Sequence, residues 1–336
     1  MGGCYNGSYK YAKSEAVEKP KVSNDFKKNL RSYFKDHQMS QFISAYKGYF
    51  ESKPSGFILE VAKNAGITDA KDIPKEFPEI EYEVKFDVRL KGKGDEPSIV
   101  EYMDAFEFPC GRNTRFFKDP MNTFAEGVNN FYGNNLDERL VVIEKGNGLF
   151  LKEKGLVTPV QSDMPYSEIV IKRSELRYPA SFEEVERKVT EVCKESGVKY
   201  RGKIRKEKGD FFVLDSNDGR IYSFSFTRAH LIKPGKKEES GIQRQLEIEY
   251  AGYIPGVGKI NVGSEEEIVS GMIDNARYTY GLYSSSPVKD GWRMNLLVTN
   301  ERKYDFIVGK DKMNLENRIT LPAIISTTGR KNPRLN

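Results

Sequence analysis

The chain is poor in the residues that build the commonest catalytic and cross-linked sites. Its 336 residues include three cysteines, Cys4, Cys110 and Cys193, an odd number at wide spacing. No disulfide framework or cysteine metal site follows from them, and a reducing, cytoplasmic compartment is expected. Histidine is rarer still, and His37 and His230 alone argue against a His-rich zinc site or a Ser-His-Asp triad. No window approaches the ~18 apolar residues of a membrane span, and the N-terminus has no apolar signal-peptide core, so no membrane association is expected. The opening Met1-Gly2-Gly3-Cys4-Tyr5-Asn6 hints at acylation of Gly2 beside Cys4, but Asn6 stands where that motif needs Ser or Thr. Charge of one sign is also scarce: 54 bases against 49 acids leave only +5, too mild an excess to imply nucleic-acid binding by itself. With 38% hydrophobic and 31% charged residues and a mean hydropathy of −0.62, the chain reads as soluble and rather polar, with length for one large or two modest domains.

What the chain does have is one strongly patterned stretch, Glu79 to Leu90. Glu79, Glu81, Glu83, Lys85, Asp87 and Arg89 alternate with Ile80, Tyr82, Val84, Phe86, Val88 and Leu90. Side chains alternate across a β-strand, so one face is wholly charged and the other wholly apolar, whereas a helix would mix them. Close carboxylates on one face repel unless a cation lies between them. The strand alone supports either a metal and anion site or a charged solvent face.

Residues 1–22 show no periodicity and are expected to be disordered. Ser23-Asn24-Asp25 offers an N-cap before a helical pattern, and a short helix is expected over 57–64; together 23–70 form a small helical appendage. A domain over 75–300 follows, and 301–336 is a C-terminal extension and tail. From the charged strand to about residue 253 the pattern predicts strands near 98–108, 138–154, 167–176, 198–206, 210–215, 219–229 and 242–251. A helix over 181–196 interrupts them, opened by Ser181 and Glu184 as a capping box. A second helix is expected over 265–280 and a strand near 292–299.

A second acidic face lies some 160 residues downstream, where Gln245, Glu247 and Glu249 alternate with Leu246, Ile248 and Tyr250. Basic faces lie between: Lys199, Arg201, Lys203 and Arg205; Lys152 and Lys154; and Lys172 or Arg173, depending on register. Strands of this design can curl into a barrel with a polar interior and apolar faces turned out to helices, the inverse of a packed barrel. Carboxylates among many Lys and Arg suit a divalent cation, Mg²⁺ or Mn²⁺, and a multiply charged phosphate chain.

Glu81-Tyr82-Glu83-Val84-Lys85 resembles the ExExK signature of the CYTH, or triphosphate tunnel metalloenzyme, superfamily. Glu247 and Glu249 resemble its late acidic strand, Lys199-Tyr200-Arg201 its Lys-x-Arg element, and Lys152-Glu153-Lys154-Gly155 its phosphate-binding Lys before Gly. The resemblance covers about residues 77–253. It implies an α+β fold with an antiparallel eight-stranded tunnel, Glu81, Glu83, Glu247 and Glu249 as ligands to Mg²⁺ or Mn²⁺, and Lys85 acting with them in catalysis. Lys152, Lys154, Lys172, Arg173, Lys199, Arg201, Lys203, Arg205, Arg220 and Arg228 become candidate phosphate contacts. Two departures stand out: Leu140-Val141-Val142-Ile143 replaces an Arg-x-Arg strand, and Ser223, Ser225 and Thr227 replace an Asp.

The activity implied is metal-dependent removal of the terminal phosphate from inorganic triphosphate, a nucleoside triphosphate or an RNA 5′-triphosphate end. A nucleotidyl cyclase and a non-catalytic polyphosphate binder are the alternatives. Stable nucleic-acid binding is not expected, because aromatics such as Tyr82, Phe86, Phe224 and Phe226 fall on packing faces. The stretch Gly252 to Ile260 superficially resembles a phosphate loop, but Tyr253 and Ile260 fail the Walker A positions, so it is a turn.

Overall fold

The computed structural model describes residues 43–45, 56–106, 115–119, 122–146, 148–158, 160, 162–232, 239–284, 286–288 and 291–309. The disordered start and the helical pattern after Asp25 lie outside the described residues. The strands are β1 (Ile43–Ala45), β2 (Ile80–Lys91), β3 (Phe116–Lys118), β4 (Asn122–Gly133), β5 (Glu138–Lys145), β6 (Gly148–Thr158), β7 (Ile171–Ala180), β8 (Lys199–Asp215), β9 (Arg220–Ile232), β10 (Glu239–Tyr253), β11 (Ser286–Pro287) and β12 (Arg293–Thr299). The helices are α1 (Phe57–Asn64), α2 (Ile99–Ala105), α3 (Phe182–Val192), α4 (Glu265–Tyr283) and α5 (Lys303–Val308).

Eight strands close on themselves in the order β4-β5-β6-β7-β2-β10-β9-β8 and back to β4, every pair antiparallel. The expected α+β barrel is therefore the fold. The remaining strands are additions at its edges: β1 runs parallel to β4, β3 extends β8, and β12 continues along β2 with β11 beyond it.

Alternation decides which way each strand faces. Tyr82, Val84, Phe86 and Val88 of β2 point outward and join Phe224, Phe226, Leu246 and Ile248 beneath α4, which contributes Ile268, Val269, Met272 and Ala276. Thus the main core lies outside the barrel wall. A second layer, Leu140, Val142 and Leu151, is covered by Val192 at the end of α3. That helix opens on the Ser181–Glu184 capping box read from the sequence, with both reciprocal hydrogen bonds present.

Four elements differ from the expected pattern. The single strand expected over 138–154 is the antiparallel pair β5 and β6. The stretch 98–108, read as a strand for its apolar run, is α2, fixed by a capping box between Ser98 and Glu101. The two strands expected over 198–215 are one 17-residue strand, β8. And β4, with its Gly- and Asn-rich sequence, was not anticipated at all.

The seating of α4 is tight enough to test. A Cβ built at Gly271 would lie 1.9 Å from the Tyr222 hydroxyl, which is buried with no hydrogen-bond partner among the described residues. Gly271→Ala is expected to destabilise by roughly 1–3 kcal/mol through overpacking. Tyr222→Phe, which removes only that hydroxyl, should recover most of the loss. Denaturant melts of both single variants and the double variant check this, and equal losses in the two backgrounds would refute it.

Candidate active site inside the barrel

The charged faces of the same strands point inward. They line a lumen that is open to solvent. Ten basic and six acidic side chains line it among the described residues, so the cavity favours a polyanion. Register brings the acids of two distant segments together: Glu249 pairs with Glu83, and Glu247 with Lys85, across β10 and β2.

Arg173 is the hub of this interior. Its guanidinium lies 2.5 Å from Glu81, 3.2 Å from Glu83, 2.7 Å from Glu138 and 3.9 Å from Glu175. Lys152 bridges Glu175 at 2.6 Å and Glu81 at 3.8 Å, Lys154 contacts Glu138 at 2.8 Å, and Lys85 contacts Glu83 at 2.7 Å. On β10, Lys303 reaches Glu247, and Lys206 lies 3.8 Å from the same carboxylate. Glu249 has a looser partner, Lys75 at 4.0 Å.

Titration follows from these neighbours. Burial opposes ionisation of Glu81, but Arg173, Lys152 and Lys154 outweigh it and hold the carboxyl well below the usual range. Glu247 is likewise depressed against burial, by Lys303, Lys206 and Lys85. Glu249 moves the other way, to about 6, because burial and the nearby Glu81 charge both disfavour its ionised form. Among the bases, burial and then Arg177 push Lys152 down to about 8, and burial and then Lys208 push Lys145 to about 8. Burial and then Lys303 push Lys206 well below its usual value. These three are cations crowded by other cations.

The candidate residues divide accordingly. Glu81, Glu83, Lys85, Lys152, Lys154, Arg173, Glu247 and Glu249 all line the lumen. The others stand elsewhere. Lys172 takes the opposite face of β7 from Arg173, pairing with Glu265 at 2.6 Å and lying over the Tyr82 ring, so the open register resolves to Arg173. Lys199 is exposed, and Lys203 does not line the lumen. Arg201 donates to the Gly133 and Gly197 carbonyls, holding the barrel rim. Arg205 pairs with Glu126 and Glu207, and Arg228 with Glu207 and Glu96. Arg220 is wholly buried outside the lumen, tying Glu76, Asp218 and Glu267 together as a structural clamp.

The lumen bases of β8 are instead Lys206 and Lys208, with Asp210 following on the same face. Ser225 donates to Asp210, so the acid absent from β9 is supplied by its neighbour. Glu175 and Arg177 continue the alternation from Arg173 and were also missed. Where an Arg-x-Arg strand was absent, Val141 and Ile143 make that wall apolar, and with Phe131 and Ile204 they pack on Tyr304 of α5.

Four carboxylates on two paired strands are the hard oxygen donors a divalent cation takes, and the crowding of Glu249 by Glu81 is what a bound cation would relieve. The donor set therefore fits Mg²⁺ or Mn²⁺, although among the described residues no three acids already converge as a ready-made cluster.

No protein-family model matches the chain and no curated protein matches it in sequence. Among solved structures, the PH1819 protein from Pyrococcus horikoshii OT3 matches at 13% identity with a TM-score of 0.35, over 68% of this chain and 99% of that one. The Pct1 RNA triphosphatase of S. pombe matches at 10% identity and TM-score 0.27, over 70% of this chain and 97% of its own. The same enzyme in complex with the Spt5 CTD gives 10% identity and 0.24, over 61% and 85%. The closed eight-stranded antiparallel barrel, with acidic and basic strand faces turned inward, is the fold expected from the sequence.

Proposed function

We propose that the protein hydrolyses the terminal phosphoanhydride of a triphosphate compound inside the barrel. The observation that carries this reading is the lumen itself, where two acidic strand faces meet a surplus of buried bases. Lys85, Lys152, Lys154, Arg173 and Arg177, with Lys206 and Lys208 opposite, hold the phosphate oxygens and offset charge as the terminal phosphoryl group transfers. Buried cations that repel one another, as around Lys152 and Lys206, gain most from an entering polyanion. Glu81, Glu83, Glu247 and Glu249 would hold Mg²⁺ or Mn²⁺. Such an ion, when bound, neutralises phosphate oxygens as a Lewis acid. Glu249, whose carboxylate has the loosest cationic partner of the four, orients the attacking water.

The bases recognise phosphate and say nothing of what lies beyond it, so inorganic triphosphate, nucleoside triphosphates and RNA 5′-triphosphate ends are all in the substrate class. The test is orthophosphate release from each by the purified full chain, with and without Mn²⁺. Release from at least one, dependent on added metal, is the expected result. The dense ion pairing of Glu81, Glu83 and Glu247 favours a second reading, a non-catalytic polyphosphate binder. Tight triphosphate binding with no phosphate or pyrophosphate release would select it.

Proton competition adds a pH signature. Because the Glu249 carboxyl sits at about 6, protons displace a cation there as pH falls through that value. Mn²⁺ affinity, measured by titration calorimetry, should be level above pH 7 and decline below 6. An affinity unchanged down to pH 5 would contradict this.

A further inference from the structure

One end of the barrel is stoppered by α5. The Tyr304 ring lies tilted against Phe131 with centroids 6.3 Å apart, and its hydroxyl donates to the Asn134 carbonyl at 2.6 Å. Arg302, just before the helix, bridges Asp137 and Asp305. The cap sends one charged side chain down into the lumen: Lys303 donates to Gln245 at 3.1 Å and forms an ion pair with Glu247, 56 residues away in sequence.

This makes the two acids of β10 unequal although they share one face of one strand. One oxygen of Glu247 is taken by Lys303, and the other faces Lys206 at 3.8 Å. Glu249, one step along the same face, has among the described residues only the longer ion pair to Lys75. Lys303 is itself buried among cations, beside Lys206 and Lys85. An ammonium held there against like charge and burial is held chiefly by Glu247, with Gln245 as a second acceptor.

We propose that Lys303 is a built-in counter-ion that occupies Glu247 until a divalent cation displaces it, so that metal loading and the seating of α5 oppose each other. This rests on the reading of Glu247 as a metal ligand. A cation on Glu247 needs the lone pairs Lys303 now uses, and Lys303, once displaced, meets the new positive charge directly. Its helix is short, six residues, so the repulsion acts on the stopper as a whole. Metal would then loosen the closed end, and loosening that end would raise metal affinity by the same factor.

The test is Mn²⁺ titration calorimetry on the full chain, wild type against Lys303→Met, joined to amide exchange over 303–308 with and without Mn²⁺. Lys303→Met keeps the apolar stem and removes the charge, and it should bind Mn²⁺ about tenfold more tightly, within the usual range of coupling between sites. Lys208→Met, which removes a lumen ammonium paired with Asp210 rather than Glu247, should gain clearly less. In the wild type, Mn²⁺ should speed exchange over 303–308, a readout that needs no variant and no activity. Equal gains in the two variants, no gain in Lys303→Met, or slower exchange with Mn²⁺ would each overturn the proposal while leaving Glu247 a metal ligand. Absence of Mn²⁺ binding by wild type and Lys303→Met alike would overturn the metal reading and this proposal together.

Discussion

Arg173→Met is expected to destabilise the protein by roughly 3–5 kcal/mol, the range seen when one partner of a buried ion pair is removed. Arg173 is 3% exposed and lies within 4 Å of four carboxylates, three of them no more than 5% exposed. Methionine fills similar space, so the loss measures charge rather than a cavity. Glu81 is held well below the normal carboxylate range against burial, chiefly by this guanidinium. The sign follows from that depression. Stability from Glu81 is present above its unfolded value near 4.5 and is lost as pH falls through its lower folded value. In Arg173→Met the carboxyl titrates higher, so the variant's deficit should be largest at neutral pH and shrink toward pH 4. Arg173→Lys restores the charge without the planar fork and should fall between the two. Urea melts at pH 7 and pH 4 decide it; a loss under about 1 kcal/mol at pH 7 would mean the carboxylates are not relying on Arg173.

Those four contacts show how far the sequence could be read. Strict alternation from Ile80 to Leu90 announces a strand with one inward and one outward face, because no helix keeps those classes apart. The same logic placed Glu247 and Glu249. It misplaces the bases of β8 because the charge-rich odd-numbered face reads as the inner one. Counted back from Phe211 and Val213, which pack into the outer core, the alternation puts the even-numbered Lys206, Lys208 and Asp210 on the lumen face. Glu175 and Arg177 were legible in the same way, as the next two steps from Arg173.

Other features had no local signal. In β4 the sequence from Asn122 to Gly133 mixes glycine, asparagine and aromatics without a clear period, and pairing with β5 and β8 on either side makes it a strand. Arg220 reads from the chain as one more base flanking a polar strand. Only the approach of Glu76 and Glu267, 144 and 47 residues away, turns it into a clamp. Lys303 belongs with these: its place in the lumen is a product of closure, not of its own segment. For α2 the signal existed, since Ser98 and Glu101 form a capping box, but the apolar run around them obscured it.

Glu249→Gln separates the chemistry from the fold, in contrast to Arg173→Met. Its side chain is 36% exposed and its cationic partner is 4.0 Å away, so neutralising it breaks no close ion pair. Its carboxyl is raised to about 6, so the fold prefers the protonated form. Whatever stability that preference contributes is complete below the unfolded value near 4.5 and lost as pH rises through 6. At pH 7 the ionised group therefore opposes folding, and glutamine, a neutral isostere, should melt at the same temperature or higher. The activity should move in the other direction. Losing a carboxylate that holds the cation and orients water should lower kcat/KM for triphosphate hydrolysis by on the order of 10²-fold. The decline in Mn²⁺ affinity below pH 6 should also flatten, because the competing proton has lost its site. Melting curves, phosphate-release kinetics and metal titrations on the one variant test all three parts. Full activity in Glu249→Gln would remove this residue from the site. A large drop in melting temperature would instead mean that its charge serves the fold.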